Sequence, residues 1–170
     1  MTVETIERQA AIVTGPVITR RGASVGGGIM CLGVATMDPV EVMRRFVEQF
    51  QSEGKTEVAE ELLADDFVDH CPMPGMGTDR NAVMQLFAML RGAIPDLHVT
   101  IQRQFADGDR VATYKTFSGT HKGTFLGIPA TGNSVNFDVI DIVRVTDGKM
   151  REHWNGVDSA TLMQQLGVAG

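Results

Sequence analysis

A chain of 170 residues with 43% hydrophobic content is the size of one well-packed domain and short for two. Its formal net charge of -6, with Lys and Arg scattered rather than clustered, leaves no basic stripe for phosphates and argues against nucleic acid as a partner. The two cysteines, Cys31 and Cys71, form neither a disulfide framework nor a metal-ligand spacing, which points to a reducing, cytoplasmic compartment.

Residues 1–37 read as a poorly ordered leader or an over-extended start, ahead of a single domain at 38–170. Within them "RRGASVGGGIMCLGVAT" has the outline of an export signal, but glycines interrupt its apolar run and the run is far too short to span a bilayer. No membrane association is expected. From Asp38 the signals sharpen: Asp38 as N-cap, Pro39 at the first helical position and Glu41 form a capping box. Met43, Phe46, Val47 and Phe50 then share one face of an amphipathic helix ending at Gly54. Thr56 caps a short second helix to Leu63, and "DDFVDHCPMPG" reads as a brief extended segment entering a Pro/Gly loop. A third helix, capped by Thr78 or Asp79, presents Val83, Leu86, Phe87 and Leu90 and closes at Gly92 and Pro95.

Beyond Asp96 the apolar period switches from 3.6 to 2, predicting strands near 97–106, 110–119, 134–145 and 149–155 with hairpin turns at "DGD" and "TDGK". Asp158 caps a last short helix through Leu166. Helices followed by an antiparallel meander imply an α+β fold: a cone-shaped α+β barrel whose curved antiparallel sheet wraps around the N-terminal helices. The interior of such a cone is a natural ligand site.

One polar residue interrupts the apolar face of the strand at 134–145. Val135, Phe137, Val139 and Val143 share that face with Asp141, and a buried carboxylate must either find a donor or raise its pKa. The facing strand decides the partner. A two-residue turn at Asp147-Gly148 places Asp141 opposite Trp154, whereas a three-residue loop with Gly148 in a bulge places Asp141 opposite His153 and Val139 opposite Asn155. The bulged turn is favoured, because it gathers Asp141, His153 and Asn155 on one face and leaves Ile140 and Ile142 to pack with Trp154 behind the sheet. An Asp-His pair in an apolar cavity can move protons, with Asn155 as a donor to a developing oxyanion; a satisfied hydrogen bond with no chemistry is the plainer alternative. Phe137 and Val139 would contact ligand beside Asp141. His121, where a strand opens into a Gly/Pro-rich loop, and His70, with Asp69 as its possible partner, are candidate rim residues. Tyr114, the only phenol, is either packing or a pocket hydroxyl. No phosphate loop, nucleophile elbow or zinc motif occurs, and no local spacing makes a metal site.

Taken jointly, "FVDHCPMPG", "GTHKGTFLGIPATGNSV", "RVTDGKMREHW" and "QQLG" resemble the SnoaL-like polyketide cyclases, or ester cyclases, of the ketosteroid isomerase and nuclear transport factor 2-like superfamily. The resemblance runs from Pro39 to Gly167. It implies the cone-shaped fold, a site without cofactor, a homodimer or larger homo-oligomer, and intramolecular aldol ring closure on a largely apolar, carbonyl-bearing small molecule. Strand matching implies that His153 falls on a family active-site histidine, that Asn155 stands where the family has an acid/base aspartate, and that Asp141 stands at a polar pocket position. With that aspartate absent, Asp141 and His153 would be the base and acid. Hydrolysis of an epoxide or ester in the same pocket, or a non-catalytic binding or dimerisation module, are the alternatives.

Overall fold

A computed structural model of the chain describes residues 37–168; the leader expected at 1–37 lies, apart from Met37, outside them. Helix α1 spans Pro39–Arg45, and Asp38 caps it by accepting from the Val40 N–H at 2.8 Å. Glu41 does not complete a capping box: its carboxylate turns to Arg44, 2.6 Å away. Nor does one α-helix run on to Gly54. At Phe46–Ser52 the backbone widens into a π-helical segment, with the Glu53 N–H bonded to the Glu48 carbonyl. Residues five apart then share a face, so Phe46 and Gln51 are both buried and both reach the interior cavity.

Helix α2, Thr56–Leu62, begins at Thr56 instead of being capped by it, the cap position falling on Lys55, and leads directly into strand β1, Leu63–Asp69. Helix α3, Arg80–Ala93, starts where Asp79 accepts from the Ala82 N–H at 3.0 Å. Strands β2 (His98–Asp107), β3 (Arg110–Thr120), β4 (Ser134–Thr146) and β5 (Lys149–Val157) follow, and helix α4, Ser159–Gln165, is capped by Asp158.

The sheet order is β1-β5-β4-β3-β2. Strands β2 to β5 form the expected antiparallel meander, but β1 adds to the β5 edge in parallel, so the sheet is mixed rather than antiparallel. Its partner lies at the other end of the chain, and nothing local in "LADDFVD" could name it. The fold is the cone-shaped α+β class expected, with an open sheet. Val42, Met43, Phe50 and Leu62 from the helices pack with Val111, Val143 and Val145 of the sheet in one buried core.

Register at the β4–β5 hairpin departs from expectation in an informative way. Thr146 pairs with Lys149, so the turn is the tight two-residue one, with Asp147 and Gly148 at φ 54° and 71° as a type I′ turn requires. The bulge lies one step later. Val145 pairs with Met150 and Arg144 with Glu152, which leaves Arg151 as the extra residue. Asp141 is therefore opposite Asn155, not His153; His153 faces Val143, and Val139 faces Val157. Two residues of displacement preserve side-chain parity, so Asp141, His153 and Asn155 still share the inner face. On the outer face Ile142 pairs with Trp154, yet Ile140 and Ile142 are 51% and 41% exposed rather than packed away.

Candidate functional site

Between the helices and the inner sheet face lies a cavity of about 270 Å³. Phe67, Val83, Phe87, Leu90, Phe117 and Phe137 contribute apolar wall. The polar lining comes from Gln51 of the π segment, Asp69 of β1, Lys115 of β3, Asp141 of β4, His153 and Asn155 of β5, and Ser159 of α4.

Strand alternation explains the convergence. On β3 the inward residues are Val111, Thr113, Lys115 and Phe117, all buried, and the lysine is 1% exposed. On β4 Asp141 is 3% exposed. Lys115 Nζ donates to Gln51 Oε1 at 2.6 Å and to Asp141 Oδ2. The other oxygen of Asp141 is 3.4 Å from His153 Nε2, and His153 Nδ1 is 3.0 Å from Asp69 Oδ1. Asp69 Oδ1 also accepts from the Cys71 N–H at 2.9 Å. A continuous chain thus runs from Gln51 through Lys115, Asp141 and His153 to Asp69.

Each ionisable member is perturbed. Burial opposes the charge on Asp141, but Lys115 and His153 more than offset it and hold the carboxyl down at about 2. Burial likewise disfavours the imidazolium of His153, yet contacts with Asp141 and Asp69 together push it up to about 9. Asp69 is held below the usual carboxylate range, burial being outweighed by His153 and the Cys71 N–H. Burial pulls Lys115 below the usual lysine range against the opposing attraction of Asp141. Both oxygens facing Nζ are acceptors, which fits an ammonium. The cluster then holds two cations and two carboxylates and is neutral overall, the condition under which buried charges are tolerable.

Of the residues singled out by sequence, Asp141, His153, Asn155, Phe137 and Val139 line the cavity. Three do not. His121 is fully buried with Nδ1 3.0 Å from Thr131 Oγ1, so it braces its own loop rather than forming a rim. Its Nε2 has no partner among the described residues. His70 stacks on Trp154 on the outside, rings 4.6 Å apart and 6° from parallel, and Asp69 pairs with His153 instead of with it. Tyr114 points outward, donating to Asp138 Oδ2 at 2.6 Å. Sequence reasoning missed Lys115 and Gln51, and assigned Asp69 to His70 where it serves His153. The signal for Lys115 was there, since it interrupts the Val111 to Phe117 face as Asp141 interrupts its own.

The family model for SnoaL-like polyketide cyclase matches residues 41–166. The chain belongs to that family. Among its relatives, the aklanonic acid methyl ester cyclase DnrD of Streptomyces peucetius is 29% identical over 134 residues, spanning 75% of this chain and 90% of its own. The nogalonic acid methyl ester cyclase of Streptomyces nogalater is 26% identical over 119 residues, 67% of this chain and 87% of its own. The solved structure of IdmH from Streptomyces antibioticus superposes on this SnoaL-like chain with a TM-score of 0.69 at 33% identity, covering 78% of this chain and all of IdmH (100%).

Proposed function

We propose that this SnoaL-like chain closes a ring by intramolecular aldol chemistry on an apolar, carbonyl-bearing, polyketide-like small molecule, using acid–base groups of its own. The observation that carries the reading is the joining of Lys115, Asp141, His153 and Asp69 into one contact chain on the wall of a largely apolar cavity. The names of the methyl ester cyclase relatives support the substrate class.

The electrostatics support a division of roles within it. A carboxylate held at about 2 is a weak base, so Asp141 can take an α-proton only if the resulting enolate is strongly stabilised. His153, at about 9, is an imidazolium at neutral pH and serves as acid and hydrogen-bond donor to the developing oxyanion, with Asn155 as a second donor. Asp69 holds the imidazole by Nδ1. Hydrolysis has less support, because Lys115 and His153 already flank both oxygens of Asp141 and leave little acceptor capacity to position a water. The same reading expects a homodimer formed through the outer sheet face, where Phe105, Ile140 and Ile142 are exposed; a monomer in sedimentation analysis would remove that part.

Incubation with aklanonic or nogalonic acid methyl ester, followed by chromatography, tests the reaction. Ring closure by the natural chain, lost in His153→Ala, is expected. Substrate returned unchanged, with binding shown by saturation-transfer NMR, would turn the reading toward a binding module.

A further inference from the structure

We propose that Lys115 is a covalent catalyst: with an apolar ligand in the cavity, its amine condenses with the ligand carbonyl to an imine, and ring closure proceeds through the derived enamine. The inference rests on the carbonyl-bearing ligand proposed above and specifies how its α-carbon is activated.

Three observations carry it. Lys115 lines the cavity yet is almost wholly shielded from solvent. It hydrogen-bonds only Gln51 and Asp141 among the described residues, leaving one of its three donor positions unused. Its proton acceptor, Asp141, is already in contact. An apolar ligand expels water from around the ion pair and so removes solvation from the ionised form. One proton shift to Asp141 Oδ2 then yields a neutral amine beside a neutral acid. A desolvated lysine of this kind is a nucleophile toward carbonyls.

The steps balance. The amine lone pair forms a C–N bond to the carbonyl carbon, and the carbonyl oxygen takes the proton lost by nitrogen to give a carbinolamine. Protonated Asp141 returns its proton to that hydroxyl, which leaves as water, so the positive charge of Lys115 reappears on the iminium. Asp141, again a carboxylate, removes the α-proton to form the enamine. The enamine carbon bonds to the second carbonyl, whose oxygen takes the proton back from Asp141. Water then adds to the iminium and releases product and lysine.

Methyl heptyl ketone with sodium cyanoborohydride tests this on the natural chain, with binding followed separately by saturation-transfer NMR and adducts located by peptide mass mapping. Reduction should fix close to one ketone per chain on the Lys115 peptide, with exposed Lys55 and Lys122 unlabelled at the same dose. A bound ketone that leaves Lys115 unmodified, or labels only Lys55 and Lys122, overturns the imine while the acid–base reading stands. A ketone that does not bind overturns both. Lys115→Arg keeps the cation but has no condensing amine, so full ring closure by that folded variant would also overturn the covalent route.

Discussion

Asp69 and His153 are partners twice over: they are register neighbours in the parallel β1–β5 pairing, and Asp69 Oδ1 lies 3.0 Å from His153 Nδ1. The backbone joins there too, the His70 N–H bonding the His153 carbonyl at 2.9 Å. The strand pairing itself thus sets the imidazole between Asp69 on one side and Asp141 on the other. Asp69→Asn keeps the side-chain size and removes one of two carboxylates. The His153 pKa should fall from about 9 by about one to two units. NMR titration of the imidazole signals reads this without any substrate, and an unmoved pKa would mean Asp141 alone poises the ring.

Stability should form a plateau bounded by these same groups. The folded pKa of His153 is raised from the usual 6.5 to about 9, so its contribution is full below 6.5 and disappears as pH rises through 9. By the free-energy equivalent of a pKa shift it is on the order of 3 kcal/mol. Asp141 is depressed from 3.8 to about 2, so its contribution is present above 3.8 and is lost as pH falls toward 2. Urea unfolding across this range should show both shoulders, and the alkaline one should shrink in Asp69→Asn.

How much of this was legible depended on whether a signal was local. Period-2 alternation put Asp141 on the apolar face of its strand, and parity put His153 and Asn155 with it, although the reason expected was wrong: the turn is tight and the bulge sits at Arg151. Lys115 was equally readable by alternation, because a lysine between Val111 and Phe117 faces the same way as they do. Gln51 was not, since the 3.6-residue pattern of Phe46 and Phe50 gives no hint that the helix widens there. Asp69 was hidden by distance, its partner strand arriving some eighty residues later in the chain. His121 misled because a histidine at a strand end beside a glycine-rich loop looks like a rim residue whether it faces out or, as here, braces the loop from within.

Lys115 and Asp141 should be separable as fold and as chemistry. Asp141→Asn leaves a buried ammonium without its counter-charge, and breaking a buried pair from one side costs about 3–5 kcal/mol. Replacing both, as Lys115→Met with Asp141→Leu, removes the uncompensated charge along with the pair and should recover most of that loss. Denaturant midpoints check the stability, and ring closure checks the function. The double variant should be folded and inactive. A stable Asp141→Asn with full turnover would remove the pair from both roles.

The bulge at Arg151 absorbs one extra residue in β5. Arg151 is held there by its own side chain, Nε donating to Thr146 Oγ1 at 2.6 Å and Nη1 to Asp66 Oδ1 at 2.7 Å. Deleting Arg151 while keeping the tight turn removes the extra residue and leaves a regular ladder in the pairs already made, Arg144 with Glu152, Val143 with His153 and Asp141 with Asn155, so His153 and Asn155 stay on the inner face. His153 keeps both carboxylates, and its pKa should stay near 9. Arg151→Ala is the control. It keeps the residue count, so the bulge persists and the His153 pKa should stay near 9, with only the exposed Asp66 contact and the Thr146 bond lost. A folded deletion variant whose His153 titrates near the ordinary 6.5 would mean that the ladder re-registers and that the bulge does more than absorb one extra residue.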